Sequence, residues 1–247
     1  MSEEYNLIRL AIPHFEELQA RLGEVVSHYL PDGEREHIQV LESGCADGAT
    51  SAVILSSRQD CFLTALDSEE KMIEQASANL QEFFHDNRCR LVLCDALTHL
   101  RSSPPCSVDI VASALALHNM ERSYRDALHA LIFRSLKPGG LFVNADKYAG
   151  GEEQRFEGLQ VGLGKVFDVL VPLGKLELLR QCVLHNVADQ APDRVMREDE
   201  TVAALLRLGF ATVDMLYRDN LQVVLVASKP KENSKPTERF PAADCGI

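Results

Sequence analysis

Two hydrophobic rhythms alternate along most of this chain. Residues 38–42, 61–67, 90–94, 108–113 and 141–145 are short, almost unbroken apolar runs, the pattern of strands buried on both faces. The segments between them, near 49–57, 68–84 and 121–135, read as helices. Strands separated in this way by helices predict a parallel sheet covered on both sides, a doubly wound α/β fold. Ahead of the first strand, Phe15, Leu18, Leu22, Val25, Val26 and Tyr29 recur at helical spacing. Residues 13–30 therefore read as a helix, with Pro13 suited to its first turn and Pro31-Asp32-Gly33 ending it.

After Tyr148 the rhythm breaks. Residues 151–187 keep helical spacing and show no strand signal, which predicts an inserted helical cap. Residues 198–208 form a further helix, stopped by Gly209. Two apolar runs, 212–217 and 222–227, then flank Arg218-Asp219-Asn220, and so short a connection joins antiparallel strands. The expected organisation is one domain over 1–228, with an N-terminal helical arm at 1–34 and a cap at 149–197. The polar, proline-bearing segment 229–247 is expected to be a disordered tail.

Composition narrows the function classes. The chain has 247 residues, 46% hydrophobic, enough for one large domain with a sizeable core. Its formal net charge of -12 argues against nucleic acid and anionic membranes as partners. No apolar run approaches the roughly 18 residues that cross a bilayer, and the N-terminus does not read as a secretory signal. Seven cysteines form no CxxC pair, which fits reduced thiols in a cytoplasmic protein and no cysteine-held metal. A homodimer stays open.

The chemistry concentrates at strand ends. Val40-Leu41-Glu42-Ser43-Gly44-Cys45-Ala46-Asp47-Gly48-Ala49-Thr50 reads as a strand, an acid, a glycine-punctuated turn and a helix start. Such a turn lets a ligand approach bare backbone, and the helix N-terminus offers unpaired N–H groups. The acid disfavours phosphate and favours a cationic or amine-bearing ligand. Asp67 ends the second strand, where an acid can accept from both ribose hydroxyls. Asp95-Ala96 follows the third strand and suits an adenine edge. Ser113 to Asn119 follow the fourth, and Asp146, Lys147 and Tyr148 the fifth. In an open parallel sheet these places converge on one cleft. Each residue also has a structural reading: Asp67 and Asp95 as helix caps, His118 as a packing histidine, and 146–148 as a solvated strand end.

This order of motifs, with Lys137-Pro138-Gly139-Gly140 and the terminal hairpin, resembles the class I S-adenosylmethionine-dependent methyltransferases over about residues 35–228. The resemblance implies a Rossmann-like seven-stranded sheet and S-adenosylmethionine as cofactor. It implies Glu42, Gly44, Ala46, Gly48, Asp67, Asp95, Ala96 and Ser113 as cofactor-binding residues, although Ala46 stands where the family often has glycine. His118 is the first candidate for a base, followed by Asp146 and Tyr148. The expected reaction is methyl transfer to a small-molecule acceptor. Alternatives are cyclisation of the cofactor's own aminobutyrate chain with release of methylthioadenosine, tRNA wobble-uridine modification, and a non-catalytic binding protein on the same fold.

A narrower similarity joins Gly44 to Thr50, Ile12-Pro13-His14-Phe15 and Val195 to Glu200 to the bacterial tRNA carboxymethyltransferases, which use carboxy-S-adenosylmethionine. Those enzymes need an arginine for the extra carboxylate. An ungapped alignment puts Asp189 at that position, where a carboxylate would repel the modified cofactor.

Overall fold

The computed structural model describes residues 7–31, 37–84 and 86–232. Its centre is a seven-stranded sheet in the order β3-β2-β1-β4-β5-β7-β6. The strands are β1 (Ile38–Ser43), β2 (Cys61–Asp67), β3 (Cys89–Leu93), β4 (Val108–Ala114), β5 (Leu136–Lys147), β6 (Thr212–Asp219) and β7 (Gln222–Ser228). The first five run parallel. β7 enters antiparallel between β5 and β6, as the short connection predicts.

Pleat alternation explains the near-continuous apolar runs. Val40, Leu63, Ile110 and Val143 point to one core with α1 (Phe15–His28), α2 (Ala49–Ser57) and α3 (Glu70–Asn79). Leu41, Leu66, Val111 and Phe142 point to the other, with α5 (Ala96–Ser102), α6 (Arg122–Ser135) and α9 (Glu198–Leu208). A four-residue helix, α4 (Gln81–Phe84), leads into β3. Gly209 ends α9 in the left-handed conformation at φ 108°, which suits a residue without Cβ.

The cap is two helices, α7 (Glu152–Leu170) and α8 (Leu176–Ala188), turned at Gly174 with φ 63°. Val166, Leu170 and Leu178 pack there against Ala11 of the N-terminal arm in a third apolar cluster.

Three sequence expectations shift. α1 starts at Phe15, after His14 in the left-handed conformation (φ 54°), so Pro13 lies in the preceding turn. Lys137-Pro138-Gly139-Gly140, read as a turn, is part of β5 and coincides with a register slip against β4 between Val108 and Ile110. The expected tail is anchored where it begins: Lys229 Nζ donates to the carbonyls of Phe133 (2.8 Å) and Leu136 (2.6 Å). The tail from 233 onward, and Asp32 and Gly33 of the predicted helix stop, lie outside the described residues.

The slip positions a buried ion pair. Asp109, fully buried on β4, accepts from the Gln39 N–H (2.9 Å) and from Lys137 Nζ (2.7 Å). Asp109→Ala leaves that ammonium without its carboxylate and should cost about 3–5 kcal/mol in urea unfolding. A loss below about 1 kcal/mol would show that the pair does not hold β1, β4 and β5 in register.

Candidate active site

The turn after β1 is strained in a directed way. Gly44, Ala46 and Gly48 have φ of 77°, 47° and 88°. A Cβ on Gly44 would lie 2.7 Å from that of Ala116, so glycine is required by space as well as by conformation. Ala46 holds the left-handed conformation without glycine's freedom, at a cost of about 1–2 kcal/mol. Its N–H donates to Asp67 Oδ2 at 2.9 Å, while the Gly44 and Cys45 N–H groups donate to the Leu66 carbonyl at 2.9 and 2.8 Å. The turn is thereby tied to the end of β2.

Among the described residues, Asp67 is fixed by backbone donors. Its other oxygen accepts from the Glu69 N–H at 2.9 Å, and the carboxylate faces the cleft with acceptor capacity left on both oxygens. Asp95 caps α5, in keeping with its structural reading: Oδ2 accepts from the Thr98 N–H (2.9 Å) and hydroxyl (3.0 Å). It also faces the cleft, as does Ala96. Its second oxygen accepts from the Tyr124 hydroxyl. Burial opposes the Asp95 charge, but the bonds from Tyr124 and Thr98 prevail and hold its carboxyl below the ordinary value. Burial and the same bond push Tyr124 up to about 12. Tyr124 lines the cleft and sequence reasoning missed it, because its position on α6 carries no motif.

Three expected cofactor contacts sit behind the cleft wall. Glu42 is fully buried and accepts from the Ser51 hydroxyl of α2. Ser113, also buried, donates its hydroxyl to the Ser43 carbonyl at 2.9 Å and ties β4 to β1. Gly48 starts α2, and a Cβ there would press on Leu80 at 3.0 Å. All three shape the turn, and none lines the cavity.

The opposite half is built around His118, in a 3-10 turn after β4 (Leu117–Asn119). Its Nδ1 lies 2.6 Å from Asp146 Oδ1. Asp146 is buried and also accepts from the N–H groups of Leu117 (2.9 Å), His118 (3.3 Å) and Lys147 (2.9 Å). Burial opposes its charge, yet His118 and the backbone donors hold the carboxyl below the usual range. His118 lines the cavity, whereas Asp146 reaches it only through His118.

Tyr148 is a correction. One residue past β5, it keeps the parity of Phe142 and Asn144 and packs into the second core. There it is fully buried, and its hydroxyl accepts from Asn144 Nδ2 at 2.7 Å. Lys147, of opposite parity, is the residue that lines the cleft. Its Nζ lies 3.0 Å from Asp189 Oδ2. That contact also corrects the expectation for Asp189: the carboxylate is buried at the end of α8 and partnered by an ammonium, so its repulsion of a second carboxylate is offset.

These groups surround one cavity of about 740 Å³, within the range of small-molecule sites. Ile8, Ile12 and Phe15 of the arm and Leu159, Val166 and Leu178 of the cap close it. Arg9 secures the arm by a 3.2 Å contact with Asp47 beside the glycine turn.

Glu42 has a measurable consequence. Burial pushes its carboxyl up to about 7, so the folded protein binds this proton more tightly than the unfolded chain. Stability from this group is complete below the unfolded value and is lost as pH rises through about 7. Glu42→Gln should therefore stabilise the protein at pH 8 by about 3 kcal/mol, since each tenfold gain in proton affinity is worth about 1.4 kcal/mol, and by little at pH 5. Equal changes in melting temperature at both pH values would contradict this.

Comparison with known proteins agrees with the geometry. Residues 40–140 match the family described as "Methyltransferase domain". Carboxy-S-adenosyl-L-methionine synthase from Hydrogenovibrio crunogenus is 27% identical over 143 residues, 58% of this chain and 54% of the relative. The namesake from Aeromonas hydrophila is 24% identical over 94% of this chain and 88% of its own. The chain spans little more than half the length of the first relatives it matches. These proteins are named for the same carboxylated cofactor to which the narrower sequence similarity pointed. Among solved structures, the CurJ carbon methyltransferase superposes with a TM-score of 0.64 at 16% identity, over 90% of this chain and 57% of that one. The S-adenosylmethionine-dependent methyltransferase SibL gives 0.55 at 20% identity, over 91% and 62%. Residues 40–140 thus resemble a methyltransferase domain, and the chain has the Rossmann-like fold of the solved methyltransferases.

Proposed function

We propose that this chain binds S-adenosylmethionine at the ends of β1, β2 and β3 and directs its methyl group to a small-molecule acceptor held under the cap. One observation carries the reading. The Asp67 carboxylate, fixed by two backbone donors beside a left-handed glycine turn, faces the same cavity as the His118–Asp146 pair. When bound, the cofactor supplies an electrophilic methyl carbon on its sulfonium.

The residues then divide the work. Asp67 accepts from the ribose hydroxyls, Asp95 and Ala96 meet the adenine edge, and Gly44 lets the amino-acid end lie against backbone. Glu42, Gly48 and Ser113 act through the turn they support. His118 meets the acceptor. With Asp146 accepting from Nδ1–H, its Nε2 is the basic atom and can take a proton from an acceptor that carries one. Asp146 is a positioning residue. The arm and cap exclude water and align the acceptor in line with the methyl group. Enclosure by Leu159, Val166 and Leu178 supports a small acceptor, and the net charge of -12 supports it over nucleic acid. We place the reaction in the cytoplasm on the strength of the free thiols among the described residues.

Two measurements test this. Asp67→Ala should weaken S-adenosylhomocysteine by about 1.5–3 kcal/mol in calorimetry, roughly 10- to 150-fold in Kd. Unchanged affinity in a folded variant would sink the ribose assignment. Incubating the chain with S-adenosylmethionine and a metabolite extract should yield S-adenosylhomocysteine by mass analysis. Methylthioadenosine instead would identify cyclisation, and no extract-dependent product would overturn the proposal.

A further inference from the structure

The polar end of the cavity holds a second grouping that methyl transfer does not explain. His185 on α8 and Asp189, the C-cap that continues its helical conformation, stand four residues apart and so share one face. Asp189 Oδ2 lies 3.7 Å from His185 Nε2 and 3.8 Å from His118 Nε2. One ligand atom from each of the three residues falls within 4.8 Å of the others. We infer that His118, His185 and Asp189 form a binding site for one divalent transition-metal ion.

Four observations support this. First, the donor set is two imidazoles and one carboxylate, which suits zinc, iron(II) or cobalt(II) and not magnesium or calcium. Second, His118 is already oriented as a ligand. Its Nδ1 is taken by Asp146 at 2.6 Å, which leaves Nε2 as the donor atom, the carboxylate–histidine–metal arrangement. Third, Asp189 is 6% exposed, and its Oδ1 has no hydrogen-bond partner among the described residues. A carboxylate that holds the ion through Oδ2 and leans its Oδ1 onto it as well would give this buried oxygen the partner it lacks. Fourth, both imidazoles line the cavity and the His185 side chain is 51% exposed, so an ion has an entry path and coordination positions stay open toward the acceptor. With metal–ligand bonds of about 2.0–2.2 Å, tetrahedral ligand atoms stand about 3.3 Å apart. The two contacts of Asp189 must therefore shorten by about 0.5 Å, and the two imidazole nitrogens, within 4.8 Å of one another, by up to about 1.5 Å, which takes rotation of the exposed His185 ring.

Lys147 is the competitor. Its Nζ, 3.0 Å from the same Asp189 oxygen, supplies the positive charge in the present arrangement. A metal would displace it along its flexible four-carbon stem. Ion pair and metal site thus exclude one another on one oxygen, and this gives the proposal its sharpest test. The metal's role rests on the methyl-transfer reading, although the site does not. A Lewis acid there would lower the pKa of an acceptor hydroxyl, and His118 would serve as its ligand in place of acting as a free base.

The experiment titrates the full chain with cobalt(II), followed by its visible absorption, and with zinc by calorimetry. One equivalent should bind. His185→Ala and the near-isosteric Asp189→Asn should abolish binding, and Asp146→Asn should weaken it about 10- to 100-fold. Lys147→Met should tighten it, because it removes the competing cation. S-adenosylhomocysteine affinity, measured on every variant, reports that the fold is intact. Absence of cobalt and zinc binding, binding that survives His185→Ala, or a Lys147→Met variant that binds no better would overturn the site. Cobalt binding by a chain that does not bind S-adenosylhomocysteine would uphold the site while defeating the cofactor reading.

Discussion

The hydrogen bond from the Ala46 N–H to Asp67 Oδ2 is the contact on which the site depends. It spans 21 positions of sequence and joins the ends of two adjacent parallel strands. The bond holds Ala46 in a left-handed conformation that alanine resists, and it aims the carboxylate into the cleft. The two N–H groups that converge on the Leu66 carbonyl share this load. Glu42 and Ser51 brace the turn from beneath, and Ser113 ties it to β4. Precision at this end of the cavity therefore comes from backbone donors and buried partners, which lose little by reorganising when a ligand arrives.

The other half of the cavity is organised by compensated charge. Asp146 and Asp189 are both buried, and neither is left bare: the first is held by His118 and backbone donors, the second by Lys147. A buried carboxylate stripped of its partner costs several kcal/mol, so the pairs reinforce one another's positions. Lys147 also bears on which charges the cavity tolerates. An ammonium beside Asp189 leaves the local charge near zero, a weaker barrier to a carboxylated ligand than a lone aspartate would present.

Much of this was legible in the sequence, for an identifiable reason. A parallel sheet brings strand C-termini to one edge, so Gly44, Asp67, Asp95 and His118 could be gathered from strand order alone. The hairpin and the helices that cover the sheet followed from turn residues and apolar spacing. What sequence did not disclose depends on register and on distant packing. Tyr148 and Lys147 are neighbours, and only the parity set by the register of β5 decides which one meets the cleft. Glu42 and Ser113 end their strands as expected, but partners on α2 and β1 draw them behind the wall. Tyr124 carries no motif, because its role arises from a contact 29 positions away, and Asp189 was marked by alignment but not its Lys147 partner, 42 positions away. The break in the cap at Gly174 was hidden because the segments on both sides keep helical spacing.

The central claim is that one cavity aligns a nucleoside-bearing sulfonium with an acceptor beside His118. A crystal structure of the chain with S-adenosylhomocysteine bound tests it most directly. The account predicts ribose hydroxyls on Asp67, the adenine edge at Asp95 and Ala96, and the sulfur directed across the cavity toward His118. A ligand seated elsewhere, or one whose sulfur turns away from His118, would contradict it.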